Sequence, residues 1–394
     1  MKTKKVLIIF KYPRGNWNDN ITNKFSNYYL TEYLYLSDYK NKNFTEVVNT
    51  INQLIKEKDI KIVVFDVDYF KFINFFFIEK VDCEKKIIWT GDDFELHDMN
   101  SITASACDIV LSHCPLSVLK YQEKGYEAHM LDGENTKLIK KYDFNEKEID
   151  VLFFGDLKGT SDRKDFLNYL VKQGISLKNV GHDEVTPGLH PDEKLFDLIA
   201  KSKIVLNLSK SRTASVNNFA AENTYKFYYQ LKGRILLAGL YGAACVSEYS
   251  PGQEILFKED EIPTFYTKEE CVKILKKMLS NDELLKLYTK KFTERVQQIS
   301  NDKKNFEPIY NSIEKNKKER VKLIKIPYWY LRICAKNIML RNINLFTLIK
   351  ALFQFNIIFK IIKNSNLLIK FLIIFESIVN IFWYSFILTL KSKK

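Results

Sequence analysis

A pattern of short apolar runs alternating with helical periodicity starts at Lys5 and starts again at Val151. No other feature limits the fold so strongly. In the first round Lys5–Phe10 reads as a buried strand. Asn43–Glu57 reads as a helix with Val47, Ile51, Leu54 and Ile55 on one face, and Lys61–Phe65, Lys86–Trp89 and Asp108–Ser112 read as further strands. Leu116–Gly125 is a helix closed by glycine. The polar stretch Asp143–Asp150 reads as a linker. In the second round Val151–Phe154, Ile175–Val180, Lys203–Leu208 and Ala243–Ser247 are expected strands. Arg163–Gln173, Asp192–Lys201, Thr224–Tyr241, Lys268–Leu279 and Asp282–Ser300 are expected helices. Strands separated by helices build parallel β-α-β units. The expected class is therefore α/β: two Rossmann-like domains, 1–145 and 146–315, facing across a cleft, with a tail over 316–394.

Charge separates the tail from the body. The net charge is +13. From Val321 to Lys394 there are twelve Lys or Arg and one acid, Glu376, while the preceding 320 residues carry 49 basic and 47 acidic groups. The tail's cations are interleaved with Trp329, Phe346, Phe353, Phe359, Phe371 and Trp383. Asn344, Thr347, Lys350 and Gln354 recur at helical spacing, opposite Leu345, Leu348, Ile349 and Leu352. A helix of this composition lies in a bilayer interface and meets anionic lipid, at about 1 kcal/mol per well-placed cation. The expected partner is an anionic membrane surface at the cytoplasmic face, and no nucleic acid. Phe371–Leu390 has one charge, Glu376, and leaves two alternatives open, a single span and a tail packed on the body or on a partner. The run Val6–Phe10 is too short for a secretory h-region. Six cysteines, none in C-x-x-C, support neither a zinc ribbon nor a redox pair and suit reduced thiols in the cytoplasm.

Two stretches carry chemistry. In Asp150–Lys164 a buried strand ends at Gly155, a polar loop follows, and a helix opens with Arg163 and Lys164. Ligands of open α/β sheets bind beyond the carboxyl ends of the strands, where helix N-termini and cations attract phosphate. The second stretch runs from Gln230 to Phe257 through Lys232, Arg234, Gly242, Ser247-Glu248, Pro251-Gly252 and Glu254. Together with Ser202-Lys203 and Asn207-Leu208-Ser209, it resembles the nucleotide-sugar-binding half of GT-B glycosyltransferases of group 1, nearest those related to spore-maturation glycosyltransferases. The likeness covers about residues 150–300 well and 80–150 loosely.

That resemblance implies a transferase using a nucleotide-diphosphate sugar, retaining in stereochemistry, with no cofactor and no obligatory metal. Arg163, Lys164, Lys232 and Arg234 would neutralise the leaving diphosphate, with Gly155, Glu248 and Glu254 completing donor binding. Asp92, Asp93 and His97 would face a glycan or lipid-linked acceptor from the first domain and carry catalysis. One departure stands out. Leu237 occupies the position where the family holds the donor with a glutamate. Either Glu248 or Glu222 takes that role, or the donor differs, or the protein is a catalytically impaired nucleotide or glycan binder.

Other classes find less support. Asp66-Val67-Asp68 is a D-x-D that would suit a metal-dependent GT-A transferase. Phe70 argues against a haloacid-dehalogenase reading of the same residues. No P-loop and no G-x-S-x-G occurs. The five histidines have no metal spacing.

Overall fold

A computed structural model describes residues 4–13, 16–67, 72–91, 93–131, 142–155, 157, 161–180, 192–210, 229–300, 302–315, 320–321, 323, 326–327, 329–331 and 333–334. The first lobe comprises β1 (Lys5–Phe10), α1 (Asn16–Ser26), β2 (Leu30–Tyr35), α2 (Phe44–Lys58), β3 (Ile60–Val67), α3 (Phe75–Lys80), β4 (Lys85–Thr90), α4 (Asp93–Ala104), β5 (Ile109–Ser112), α5 (Pro115–Glu123) and β6 (Ala128–Met130). Its strands form one parallel sheet in the order β2-β1-β3-β4-β5-β6. Both faces are covered, so the strands are apolar on both sides. Leu7 and Ile9 of β1 enter one core, and Val6, Ile8 and Phe10 enter the other. Local chemistry sets the element ends. In α2, Asn43 Oδ1 accepts from the Glu46 amide at 3.0 Å, and Glu46 Oε2 accepts from the Asn43 amide at 2.8 Å.

The second lobe repeats the plan with β7 (Ile149–Phe154), α6 (Ser161–Lys172), β8 (Leu177–Val180), α7 (Asp192–Ala200), β9 (Ser202–Asn207), α8 (Arg234–Leu240), β10 (Ala244–Glu248), α9 (Gln253–Leu256), β11 (Thr264–Phe265), α10 (Lys268–Leu279) and α11 (Asp282–Ile299). The sheet is again parallel, in the order β11-β10-β9-β7-β8. The helix expected over Thr224–Tyr241 is shorter, covering Arg234–Leu240, and residues 211–228 lie outside the described ones. The reason is that the Gln230 amide donates to the Ser209 carbonyl at 3.1 Å and Tyr229 bridges Lys210, which ties this stretch to the end of β9.

The last helix, α12 (Asp302–Glu314), crosses back. Phe306, Ile309 and Ile313 enter the core of the first sheet beside Val6, Ile8, Phe25 and Trp89. The described residues between 320 and 334 also lie on the first lobe. Tyr330 is fully buried and its hydroxyl accepts from the Phe75 amide at 2.9 Å and pairs with Thr103 Oγ1 at 2.8 Å. The described residues of the expected tail, the last of them Cys334, thus pack on the first lobe. The remainder of the tail, including 371–390, lies outside the described residues. Among the described residues, no helix is long and apolar enough to cross a membrane.

Candidate active site

In each sheet the strand order reverses beside the first strand of the lobe, which is where open α/β sheets bind ligands. In the second lobe the reversal separates β7 from β9, and their carboxyl ends, with that of β10, present Gly155, Ser209, Lys210 and Glu248. A pocket of about 210 Å³ opens there, lined by Asp162, Arg163, Phe166, Leu208, Lys210, Tyr229, Glu248, Tyr266 and Lys268.

Backbone and side chains lock this pocket together. Glu248 Oε2 accepts from the Ser209 amide at 2.8 Å and the Lys210 amide at 2.9 Å. Ser209 Oγ donates to the Glu248 carbonyl at 2.7 Å. Beneath, Asn207 Nδ2 donates to Ser209 Oγ at 2.9 Å and to Ser247 Oγ at 2.8 Å. Arg163, 6% exposed, donates from Nη2 to the Lys210 carbonyl at 2.8 Å. Lys210 pairs with Asp162 at 2.8 Å, which raises its pKa above the ordinary lysine value. Burial pushes the Glu248 carboxyl up, against the opposing pull of the Lys210 and Ser209 amides and the Lys210 and Arg163 charges. The result is three cations, Arg163, Lys210 and Lys268, and two carboxyl groups, Asp162 and Glu248, at one strand-end pocket, on a backbone that Arg163 and Glu248 hold in place.

Gly155 and Arg234 make a second contact nearby in the fold. Gly155 has φ 151°, and a Cβ there would fall 2.7 Å from Arg234 Nη2. Without a side chain at 155, the Arg234 guanidinium lies over the Phe153 ring at 4.9 Å and the Phe154 ring at 5.7 Å. Lys164 is exposed and does not line the pocket, and Lys232 is half-buried in the turn before α8. Glu254 is exposed and accepts from the Tyr249 hydroxyl at 3.2 Å. It lines a neighbouring hollow of about 540 Å³, and Tyr266 borders both spaces. Leu237 packs half-buried against the core of this lobe. Lys210 has no motif of its own to mark it, although it follows Ser209 directly. Tyr229, Tyr266 and Lys268 have none either.

The first lobe places its candidates differently. Asp92 and Asp68 lie outside the described residues. Asp93 is fully buried, and its Oδ1 accepts from Asn100 Nδ2 at 2.8 Å and from the Tyr121 hydroxyl at 2.9 Å. Burial raises its pKa. His97 is 3% exposed and packs on Tyr121 with ring centroids 4.6 Å apart. Burial first, then the charges of Lys120 and Lys124, lower its pKa from 6.5 to about 3. Neither ring nitrogen has a hydrogen-bond partner among the described residues. These groups brace α4 against α5 from inside. Asp66, 4% exposed, sits at the end of β3. Among the described residues, no group of three or more His, Cys, Asp or Glu gathers in a geometry that could hold a metal ion. The lobes meet where Gly252, at φ 87°, packs on the start of α5; a methyl group on its Cα would fall only 3.0 Å from Leu116 Cβ.

Residues 163–302 match the family model described as glycosyl transferase-like. Solved structures superpose on most of the chain. Anabaena HepE in complex with UDP-glucose covers 79% of this chain and 99% of its own at 11% identity, with a TM-score of 0.53. An α-glucosyltransferase in complex with UDP and a 13-mer DNA covers 80% and 100% at 12% identity, with a TM-score of 0.52. Sucrose-phosphate synthase from Thermosynechococcus elongatus covers 79% and 99% at 9% identity, with a TM-score of 0.51. The chain has the GT-B fold. No curated protein matches it in sequence. The matched stretch covers the second lobe from Arg163 onward and includes Arg163, Lys210 and Glu248 of the pocket. The α/β architecture with two facing Rossmann-like lobes is as the sequence predicts.

Proposed function

We propose that this protein is a glycosyltransferase that moves a sugar from a nucleotide-diphosphate sugar to a glycan or lipid-linked acceptor at the cytoplasmic membrane face, in the synthesis of a cell-surface polysaccharide. The observation that carries the reading is the buried Arg163 held against Lys210 and Glu248 at the reversal of the second sheet. As the bond from sugar to diphosphate breaks, negative charge grows on the leaving phosphate. Arg163, Lys210 and the first turn of α6 stand where that charge is stabilised, in a site already organised before the donor arrives. Arg234 supplies further positive charge on the same side of the sheet. On this reading the cations do what a metal does elsewhere, and turnover persists in EDTA. With leucine at 237, we take Glu248 to accept a donor hydroxyl; Glu222, the other candidate, lies outside the described residues.

The test is incubation of the full chain with a panel of UDP-, GDP-, ADP- and dTDP-sugars, following nucleotide release, alongside mass spectrometry of nucleotides retained on purification. Release of one nucleotide diphosphate above background supports the transferase. Leu237 gives a second reading its footing, that of a binder without turnover. Thermal stabilisation by a nucleotide with no release would favour it, and no response to any nucleotide would end both.

A further inference from the structure

Beside the Arg163–Lys210 pocket lies the hollow of about 540 Å³ that it meets at Tyr266. Nothing in the proposed transfer uses it. Its walls come from the ends of β10 and β11, from α9, and from Ile274 of α10 and Tyr288 of α11. Two tyrosines dominate it. Tyr249 and Tyr266 stack with ring centroids 5.0 Å apart and planes 28° from parallel. Both are pinned by their backbone. The Tyr249 amide donates to the Phe265 carbonyl at 2.9 Å, and the Tyr266 amide donates to Glu270 Oε2 at 2.8 Å, within the cap of α10. The Tyr249 hydroxyl is tied to Glu254. Yet Tyr266 is 69% exposed, the most open large hydrophobic side chain among the described residues. A ring fixed this firmly and left in water adds little to the core and is already organised to receive a ligand.

Charge narrows the class of that ligand. Besides tyrosines, the ionisable groups lining the hollow are Glu254, Glu259 and Lys258, one more acid than base. Phosphate is disfavoured here, in contrast with the cationic pocket next to it. A pyranose fits instead. It has a face of C–H groups that settles on the electron-rich face of an aromatic ring, and a rim of hydroxyls that donate to carboxylates. The volume also lies within the range of about 300–1,000 Å³ that holds a small organic ligand. We propose that this hollow is a saccharide subsite, in which the Tyr266 ring takes a C–H face and Glu254 and Glu259 accept hydroxyls, and that it grips a unit of the glycan on which the transferase acts. The proposal deepens the function given above and rests on that reading for which saccharide arrives. It makes the acceptor a chain of more than one sugar: one unit meets the donor, and another is held on the second lobe.

The experiment is saturation-transfer NMR on the full chain with maltotriose, cellotriose, chitotriose and mannotriose at millimolar concentration, with and without UDP. It needs no turnover, so a chain that binds saccharide but releases no nucleotide keeps the subsite and loses the transferase. At least one trisaccharide is expected to bind, and UDP is expected not to displace it. Tyr266→Ala is expected to weaken that binding about tenfold, the equivalent of one lost ring contact, and Tyr266→Phe to retain it, since the ring is the platform. Glu259→Gln is expected to weaken it about fivefold, as for one hydrogen bond. Both side chains are exposed, so neither substitution opens a cavity. No binding of any trisaccharide overturns the subsite and leaves the transferase to the nucleotide-release assay. Displacement by UDP puts the saccharide in the donor pocket and overturns it too. If Tyr266→Ala loses UDP and keeps the saccharide, the ring is a nucleobase platform and the proposal fails.

Discussion

The carboxyl ends of the two sheets both carry ionisable side chains and hold them differently. After β4 come Asp93 and His97; after β7 and β9 come Arg163 and Lys210, and Glu248 ends β10. In the first lobe the polar groups turn inward, so that Asp93 is fully buried and its Oδ1 accepts from Asn100 and Tyr121. In the second lobe they ring an open pocket, and the groups that are buried, such as Arg163, are held there by backbone at the pocket wall. A charge at a strand end is therefore not by itself a ligand group. What decides is whether the next helix turns the side chain into the lobe or leaves it at the mouth of the sheet.

The largest expected difference separates function from stability along that line. Arg163→Ala removes a charge from the phosphate end of the pocket. Turnover of the donor is expected to fall by about 10²–10³-fold. The stability loss, measured by urea unfolding, is expected to be about 1.5–3 kcal/mol for the lost charge-assisted bond to the Lys210 carbonyl. Asp93→Ala should do the reverse. It strands the Tyr121 hydroxyl and the Asn100 amide in the interior, at a cost of about 2–4 kcal/mol in unfolding free energy. Donor affinity by calorimetry is expected to be unchanged. If Asp93→Ala instead spares stability and weakens acceptor transfer, the first cluster is a ligand site after all.

Acid offers a finer version of the same contrast. His97 stays neutral in the folded chain down to about pH 3, against 6.5 when exposed. The unfolded chain thus binds a proton that the folded chain refuses. Stability is complete above pH 6.5 and falls as the pH drops below it, by about 1.4 kcal/mol per pH unit for this group. His97→Phe should remove that increment between pH 6 and 4, seen as a flatter plot of unfolding free energy against pH. An unchanged slope would mean that the imidazole is not sealed.

How far the sequence carries depends on which force sets each feature. Strands buried on both faces, such as Lys5–Phe10 and Ser202–Asn207, stand out because both periodicities of a sheet demand apolar residues there. Edge strand β2 does not, since only Leu34 of its six residues is buried. Helices with strong caps, such as α2 and α10, are legible within a residue or two. The stretch before α8 is not, because its backbone bonds to the distant end of β9 rather than to itself. The pocket is half legible. Arg163 and Glu248 lie in stretches with a recognisable pattern, but Lys210 is set by where β9 stops, and Asp93 gives no local sign that it turns inward. The burial of Tyr330 is hidden by the charge and aromatics around it, which read as tail until its hydroxyl is placed between Phe75 of α3 and Thr103 of α4.

The smallest effect we expect is also the most selective. Gly155→Ala adds one methyl group at a backbone position with φ 151°, which L-residues rarely adopt, and puts it 2.7 Å from Arg234 Nη2. The guanidinium is the far end of a flexible side chain, so it can give way and leave the rings of Phe153 and Phe154. The loss of stability is expected to be about 1–2 kcal/mol, from backbone strain and a lost cation–π contact. Donor affinity is expected to drop about tenfold if Arg234 serves the diphosphate, the equivalent of one weakened charge-assisted bond. Arg234→Ala then supplies the control. If both substitutions weaken donor binding, and the pair together does no more than Arg234→Ala alone, the glycine acts through the arginine. If Gly155→Ala loses stability but leaves donor affinity intact, Arg234 is a packing group, and the second lobe's charge is confined to the Arg163–Lys210 pocket.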